Sequence, residues 1–344
     1  MKSSRTPLAR GSYERRRVGS QAFPEDTGRF ALRRVVFVIV ALAIVSMMIV
    51  RGNSAKASSA IFDHPSFNRD GSLVVITRCG SICSPWIINV KGGAVSRIQP
   101  NDEDSVAFAR FYPNGNSLLA VRIYRSAGIS SFVQLDLSGN IVKEFQKNGM
   151  YKALPLFYQD GNRFVFVGAG ARTAGDAKAV PRSFDFFETV LGSSTATRAT
   201  QLHAYSLYPT FADVKDRVFF AAAGLPKVAS AAEQGGFFAR LTDKRFVSVT
   251  SFDVRQPVMA RNGFLAYIKR TDLLDRRPPG PYTYDVYVQG KGTEKRLTRL
   301  AAYIRRVAIA PAGDLIAAVV EKGKSKKLVV ISVTGQIVCN VTLK

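Results

Sequence analysis

Histidine is almost missing from this 344-residue chain, with two copies, and cysteine (three) and tryptophan (one) are nearly as scarce. Such counts leave no room for an array of zinc fingers or a disulfide-stapled scaffold, because each structural zinc asks for four Cys or His ligands. In an oxidising compartment the cysteines allow one bridge. The sequence also lacks a Gly-x-Ser-x-Gly elbow, a Gly-x-Gly-x-x-Gly turn and a phosphate-binding loop. Their absence removes the usual signatures of a serine nucleophile, a dinucleotide site and a nucleotide triphosphate site. Acidic residues are short as well, 25 against 49 Lys and Arg, for a formal charge of +24. A chain this basic attracts anionic surfaces, whether membrane phosphate, acidic polymer or nucleic acid.

Part of that charge is topological. Residues 1 to 57 carry eleven basic residues and three acids, while the remainder carries 38 against 22 and is still +16. Val35 to Val50 (VVFVIVALAIVSMMIV) has no charge and is flanked by Arg33-Arg34 and Arg51. As a helix it would rise roughly 24 Å, a little short of the ~30 Å hydrocarbon core, and the flanking arginines can snorkel across the difference. The nine basic residues ahead of it predict a cytoplasmic N-terminus and export of everything after residue 51. The expected layout is a disordered basic tail (1–34), a transmembrane signal anchor (35–51), a linker (52–60) and a folded domain (61–344). A cleaved signal is the other reading, since Ala55-Lys56-Ala57 has the A-x-A form. Either way the C-terminal domain is expected on the periplasmic or extracellular side, where nucleic acid is not expected as a partner, and the anchor reading places the chain at the inner, cytoplasmic membrane.

Residues 61 to 344 are built on a repeat. PSFNRDG at Pro65 recurs as PLFYQDG at Pro155, PTFADVK at Pro209 and PVMARNG at Pro257, with weaker copies ARFYPNG at Ala109 and VAIAPAG at Val307. Five copies end in glycine (Gly71, Gly115, Gly161, Gly263, Gly313) and the fourth has Lys215 there. Each is followed by an apolar run such as SLVVIT or RFVFVG, and Asp-Gly or Asn-Gly before such a run is a hairpin signal. Two more alternating runs follow, as in YDVYVQGKGTEKRLT (284 to 299). Four antiparallel strands per repeat predict an all-β, six-bladed β-propeller, preceded by one N-terminal transmembrane helix. Without a Trp-Asp pair, the tryptophan–aspartate type of propeller is excluded. The final repeat runs to VTL at 341 to 343, so a strand from residues 58 to 63, ahead of the first copy, is expected to help close the ring.

The pattern P-x-F-x-x-D-G, an apolar strand, a V-Y-V-like strand, a glycine turn and R-L-T, best seen at 257 to 299, resembles the blade repeat of the TolB C-terminal propeller family. Prolyl oligopeptidase propellers carry related repeats. The resemblance covers about 61 to 344 and implies the fold. TolB carries an α/β domain before its propeller, where this chain has a basic tail and an apolar segment, so the Pal-binding role is not carried over. With the sixth repeat running to Lys344, no peptidase domain is expected after it.

Candidate chemistry is sparse. Cys79 and Cys83 flank Gly-Ser-Ile between two strands and can be bridged; free thiols, or a metal shared with His64, are the alternatives. His64 precedes Pro65, where the other copies have Phe108, Leu154, Tyr208, Gln256 and Arg306. Equivalent positions of a propeller form a ring about its axis, so His64, Gln256 and Arg306 make a candidate polar binding face. Asp102, Glu103 and Asp104 form the densest acidic run, a solvated loop or a contribution to a Ca²⁺ site. Arg276 and Arg277 in an insertion of blade 5, with Lys322, Lys324, Lys326 and Lys327 in a hairpin of blade 6, are candidate basic binding loops for an envelope protein or an anionic envelope polymer or lipid. No cofactor is expected beyond that Ca²⁺. The expected function is a non-catalytic, membrane-tethered binding scaffold; the alternative is a propeller enzyme of hydrolase or lactonase type with a metal site at the channel mouth.

Overall fold

The computed structural model describes residues 60–98, 103–125, 129–169, 183–213, 215–225, 234–241, 245–250, 254–271, 283–290 and 292–344. The basic tail, the apolar segment 35–51, Asp102, Arg276 and Arg277 lie outside them. Among the described residues no helix is long and apolar enough to cross a membrane. They form six sheets of four strands, each an antiparallel meander contiguous in sequence. The first strands are Ile61–Phe67, Ser105–Phe111, Tyr151–Phe157, Ser206–Ala212, Arg255–Met259 and Tyr303–Ile309. Each touches the first strand of the next blade, and that of blade 6 touches that of blade 1. These strands therefore surround the axis, and the fold is the expected six-bladed propeller.

Each repeat motif spans the end of a first strand and the turn into the second. The five glycines take φ of 74° to 82°, the left-handed region that glycine occupies without a Cβ penalty. The Asp or Asn just before the glycine pins the turn through its side chain. Asp70, Asn114, Asp160 and Asn262 each accept a hydrogen bond from the backbone N–H two residues on. Where the fourth copy has Lys215, the left-handed position moves to Asp216 at φ 57°, and its carboxylate pairs with Arg163 of blade 3 at 3.0 Å.

The R-x-T of the outer strand also has a role. In blade 5, Thr298 and the Leu300 N–H donate to Asp285 Oδ1, and Arg296 donates to Oδ2. Blade 3 repeats the clamp with Thr200, the Leu202 N–H and Arg198 on Asp185. A buried carboxylate thus ties the end of the fourth strand to the third.

The core lies between blades rather than within one. Phe132, Phe164, Phe166, Phe186, Phe220 and Phe237 pack through blades 2 to 4, whereas blades 5, 6 and 1 meet mostly through Val, Ile, Leu and Ala, with Phe62, Phe67 and Tyr284 among them. Ring closure does draw on residues 60 to 63, as expected, but through packing and polar contacts and not as a strand of blade 6. Ile61 and Phe62 are in a sheet, but in the innermost strand of blade 1, and blade 6 is completed by its own Ile337–Leu343. The two blades are joined by packing of Phe62, Val74 and Ile76 on Ala317, Val319, Leu328 and Val330. Arg78 donating to the Lys344 carbonyl, Lys326 to the Ala60 carbonyl, and an Asp63–Arg306 ion pair complete the junction. The last repeat supplies all four strands of its own blade, so that blade is complete without an N-terminal strand.

Candidate functional site

Every first strand carries a β-bulge, one extra residue relative to its partner, just at the start of the motif. A bulge re-aims side chains, and here it does so around the axis. Four residues immediately before the motif are left-handed although none is glycine: His64 (φ 57°), Phe108 (58°), Leu154 (51°) and Gln256 (48°). Such backbone costs of order 1 kcal/mol or more per residue, and it is concentrated on one ring of the channel.

That ring closes on itself. Blade 4 stands opposite blade 1 in a ring of six, yet His64 Nδ1 and the Tyr208 hydroxyl are hydrogen-bonded at 3.1 Å, with the two rings stacked at 5.6 Å. Phe108 packs on the imidazole at 4.8 Å, and the Arg306 guanidinium lies 4.7 Å over Tyr208. Asp63 accepts from Arg306 Nε at 2.9 Å and from the His64 N–H at 2.8 Å. The channel is blocked at this level by side chains from blades 1, 2, 4 and 6.

Burial sets the charges. It is the largest influence on His64 and, reinforced by Arg306, Arg110 and Arg305 against the pull of Asp63, holds the imidazole pKa down at about 4. Burial would raise the Asp63 carboxyl, but His64 and Arg306 outweigh it and keep the group below its usual range. For Arg306 burial acts downward, and Asp63 with Tyr208 more than offsets it. At neutral pH the constriction therefore holds a neutral imidazole and one ion pair.

Next along the axis, toward the Asp-Gly turns, lies a funnel of about 140 Å³ to which all six blades contribute. The second and third positions of every motif copy are among its lining residues. The second positions are Ser66, Arg110, Leu156, Thr210, Val258 and Ala308; the third are Phe67, Phe111, Phe157, Phe211, Met259 and Ile309. Exposed Arg69, Gln159 and Arg261 line its outer part. Its charged lining residues are Arg69, Arg110 and Arg261, with no carboxylate among them. Arg110 spans from blade 2 to blade 4, donating to the Pro209 carbonyl at 3.2 Å, and burial lowers its pKa. No described carboxylate pairs with it. Five buried side-chain polar atoms among the described residues have no protein partner, and three of them, the Tyr112 and Tyr158 hydroxyls and Thr210 Oγ1, belong to residues lining this funnel. A fourth is Oε1 of Gln256.

His64 and Arg306 are thus brought together, through Asp63 and Tyr208, while the Oε1 of Gln256, on the same ring, has no hydrogen-bond partner among the described residues. The sequence reading did not single out Arg110, Tyr112 and Tyr158, although the signal was present. Arg110 is the second residue of its copy, and the two tyrosines are the fourth residues of consecutive copies. The other candidates lie elsewhere. A disulfide joins Cys79 and Cys83 across the hairpin between the second and third strands of blade 1. Among the described residues no three His, Cys, Asp or Glu side chains are grouped to hold a metal. Of the acidic run, Asp104 is engaged by Arg122 at 3.1 Å. Lys322 and Lys324 are exposed at the blade 6 hairpin, whereas Lys326 is directed to the Ala60 carbonyl. That hairpin joins second and third strands, so it stands at the end of the propeller opposite the funnel.

No protein-family model matches the sequence, and no curated protein matches it. Among solved structures, TolB from Acinetobacter baumannii superimposes with a TM-score of 0.54 at 15% identity, over 94% of this chain and 71% of that one. The fold is that of a TolB-type propeller. Tricorn protease gives 0.53 at 16% identity over 81% of this chain and 26% of its own, and an oligogalacturonate lyase in complex with manganese gives 0.50 at 14% over 79% and 74%. At these identities the likeness is one of fold. In this TolB-type propeller the axial ring and the funnel are features of the chain's own repeat residues.

Proposed function

We propose that this chain is a binding propeller, tethered by residues 35–51 to the cytoplasmic membrane with residues 61–344 on the periplasmic or extracellular side, and that it acts as a scaffold for an envelope protein or an anionic envelope polymer. The observation that carries the binding role is the funnel. All six blades converge on one solvent-open concavity of about 140 Å³ that is floored by the His64–Tyr208 contact and whose charged lining residues are arginines. Concave sites with apolar walls and a few convergent polar groups are the usual places for ligands. The hydrolase or lactonase alternative needs carboxylates or metal ligands at the channel mouth, and the funnel residues supply hydroxyls and guanidinium groups instead.

The test is capture. The full chain in detergent micelles, crosslinked at low ionic strength in envelope extract, is expected to retain a discrete envelope component that is lost as salt is raised. A chain that retains nothing at low salt would count against the scaffold role. Protease accessibility of 61–344 from the outer side of intact spheroplasts tests the proposed orientation.

A further inference from the structure

Three features of the funnel specify its ligand more closely than the scaffold role, on which this inference rests. First, it is a dead end. His64 stacks on Tyr208 and bonds to it, with Phe108 and Arg306 packed around them, so a polymer cannot thread through and only a chain end can reach the floor. Second, the floor carries one uncompensated positive charge. Arg306 is paired with Asp63 at 2.9 Å and Arg305 with Glu321 at 2.8 Å, His64 is neutral, and among the described residues Arg110 has only the Pro209 carbonyl. Third, the walls are apolar, formed by Phe67, Phe111, Phe157, Phe211, Met259 and Ile309.

We infer that the funnel captures the C-terminal end of a polypeptide, with the terminal carboxylate on Arg110 and an apolar last side chain against the aromatic walls. An amino end would meet Arg110 as a like charge, and an internal segment would not reach it. A cavity of roughly 150 Å³ accepts a molecule the size of benzene, which matches one apolar side chain. A guanidinium presents paired N–H donors that suit a carboxylate, and that pairing is stronger in an enclosed site than in water.

The test uses the full chain in detergent micelles and a pool of fluorescent pentapeptides randomised at the last two positions, in matched free-acid and C-terminal amide forms. Free acids ending in an apolar residue are expected to bind at least tenfold more tightly than their amides. Arg110→Met should abolish that difference with little change in Tm, since the half-buried guanidinium has no carboxylate partner among the described residues, and Arg110→Lys should keep part of it. Equal binding of acids and amides, or no binding of either pool, overturns the inference. So does Arg110-dependent binding of oligouronate or inorganic phosphate in place of the acids. In each of those cases the envelope capture above still reports on the scaffold role separately, because it does not use the peptides.

Discussion

His64 is held neutral in the constriction, its side chain 13% exposed, with a pKa of about 4 against an ordinary 6.5. A folded-state pKa below the unfolded one means that the unfolded chain binds the extra proton between those two values. The contribution to stability is therefore complete above pH 6.5 and is lost as pH falls toward 4, about 3 kcal/mol in all. Thermal melts of the full chain are expected to show that slope between pH 6.5 and 4, and His64→Gln should flatten it; a Tm independent of pH in this window refutes the assignment. Asp63, whose pKa is lowered, adds a further loss below its ordinary 3.8. Its partner Arg306 gives a second prediction. Arg306→Met leaves the Asp63 carboxylate without its guanidinium in an enclosed site and should cost about 3 kcal/mol in denaturant titration, whereas Asp63→Asn combined with Arg306→Met should recover part of it.

Among the turns, Gly263 isolates the cost of the left-handed backbone, because at φ 81° a Cβ there would meet nothing within 4 Å. Gly263→Ala should destabilise by about 1 kcal/mol purely through the backbone, while Gly80→Ala, in open space with an ordinary φ, should change stability by less than about 0.5 kcal/mol. Equal effects in urea titrations would mean that the turn does not depend on glycine. The Cys79–Cys83 hairpin spans a sequence separation of only four, so its closure removes little unfolded-state entropy. Reduction is expected to cost about 2 kcal/mol or less and to leave the far-UV circular dichroism unchanged. A loss of the fold on reduction would show instead that the bridge organises blade 1.

At the scale of the whole ring, closure depends on packing between the first and last blades, with no strand exchanged between them among the described residues. Leu328 is fully buried in that junction. Leu328→Ala should cost about 3 kcal/mol and lower Tm as a single cooperative transition, since opening one joint releases the first strand of blade 1 from its neighbour. Two separated transitions in calorimetry would mean that the blades melt independently of closure.

Most of this architecture is legible in the sequence. Six copies of one motif state the number of blades, the position of each turn and which side chains share a ring, because a repeat with constant offsets places equivalent residues at equivalent heights on the axis. Thus His64, Gln256 and Arg306 could be assigned to one level from spacing alone. Reading each copy down its second and fourth positions would also have found Arg110, Tyr112 and Tyr158. What spacing does not carry is distance across the axis. Whether six side chains at one height leave a pore or meet depends on the bulges and on side-chain length and direction, and it is the tertiary structure that brings His64 of blade 1 onto Tyr208 of blade 4 and makes the channel a closed funnel. Ring closure is of the same kind. The local pattern of blade 6 is satisfied by four of its own strands, so only the packing of Phe62 against Leu328 and its neighbours decided how the ring is joined.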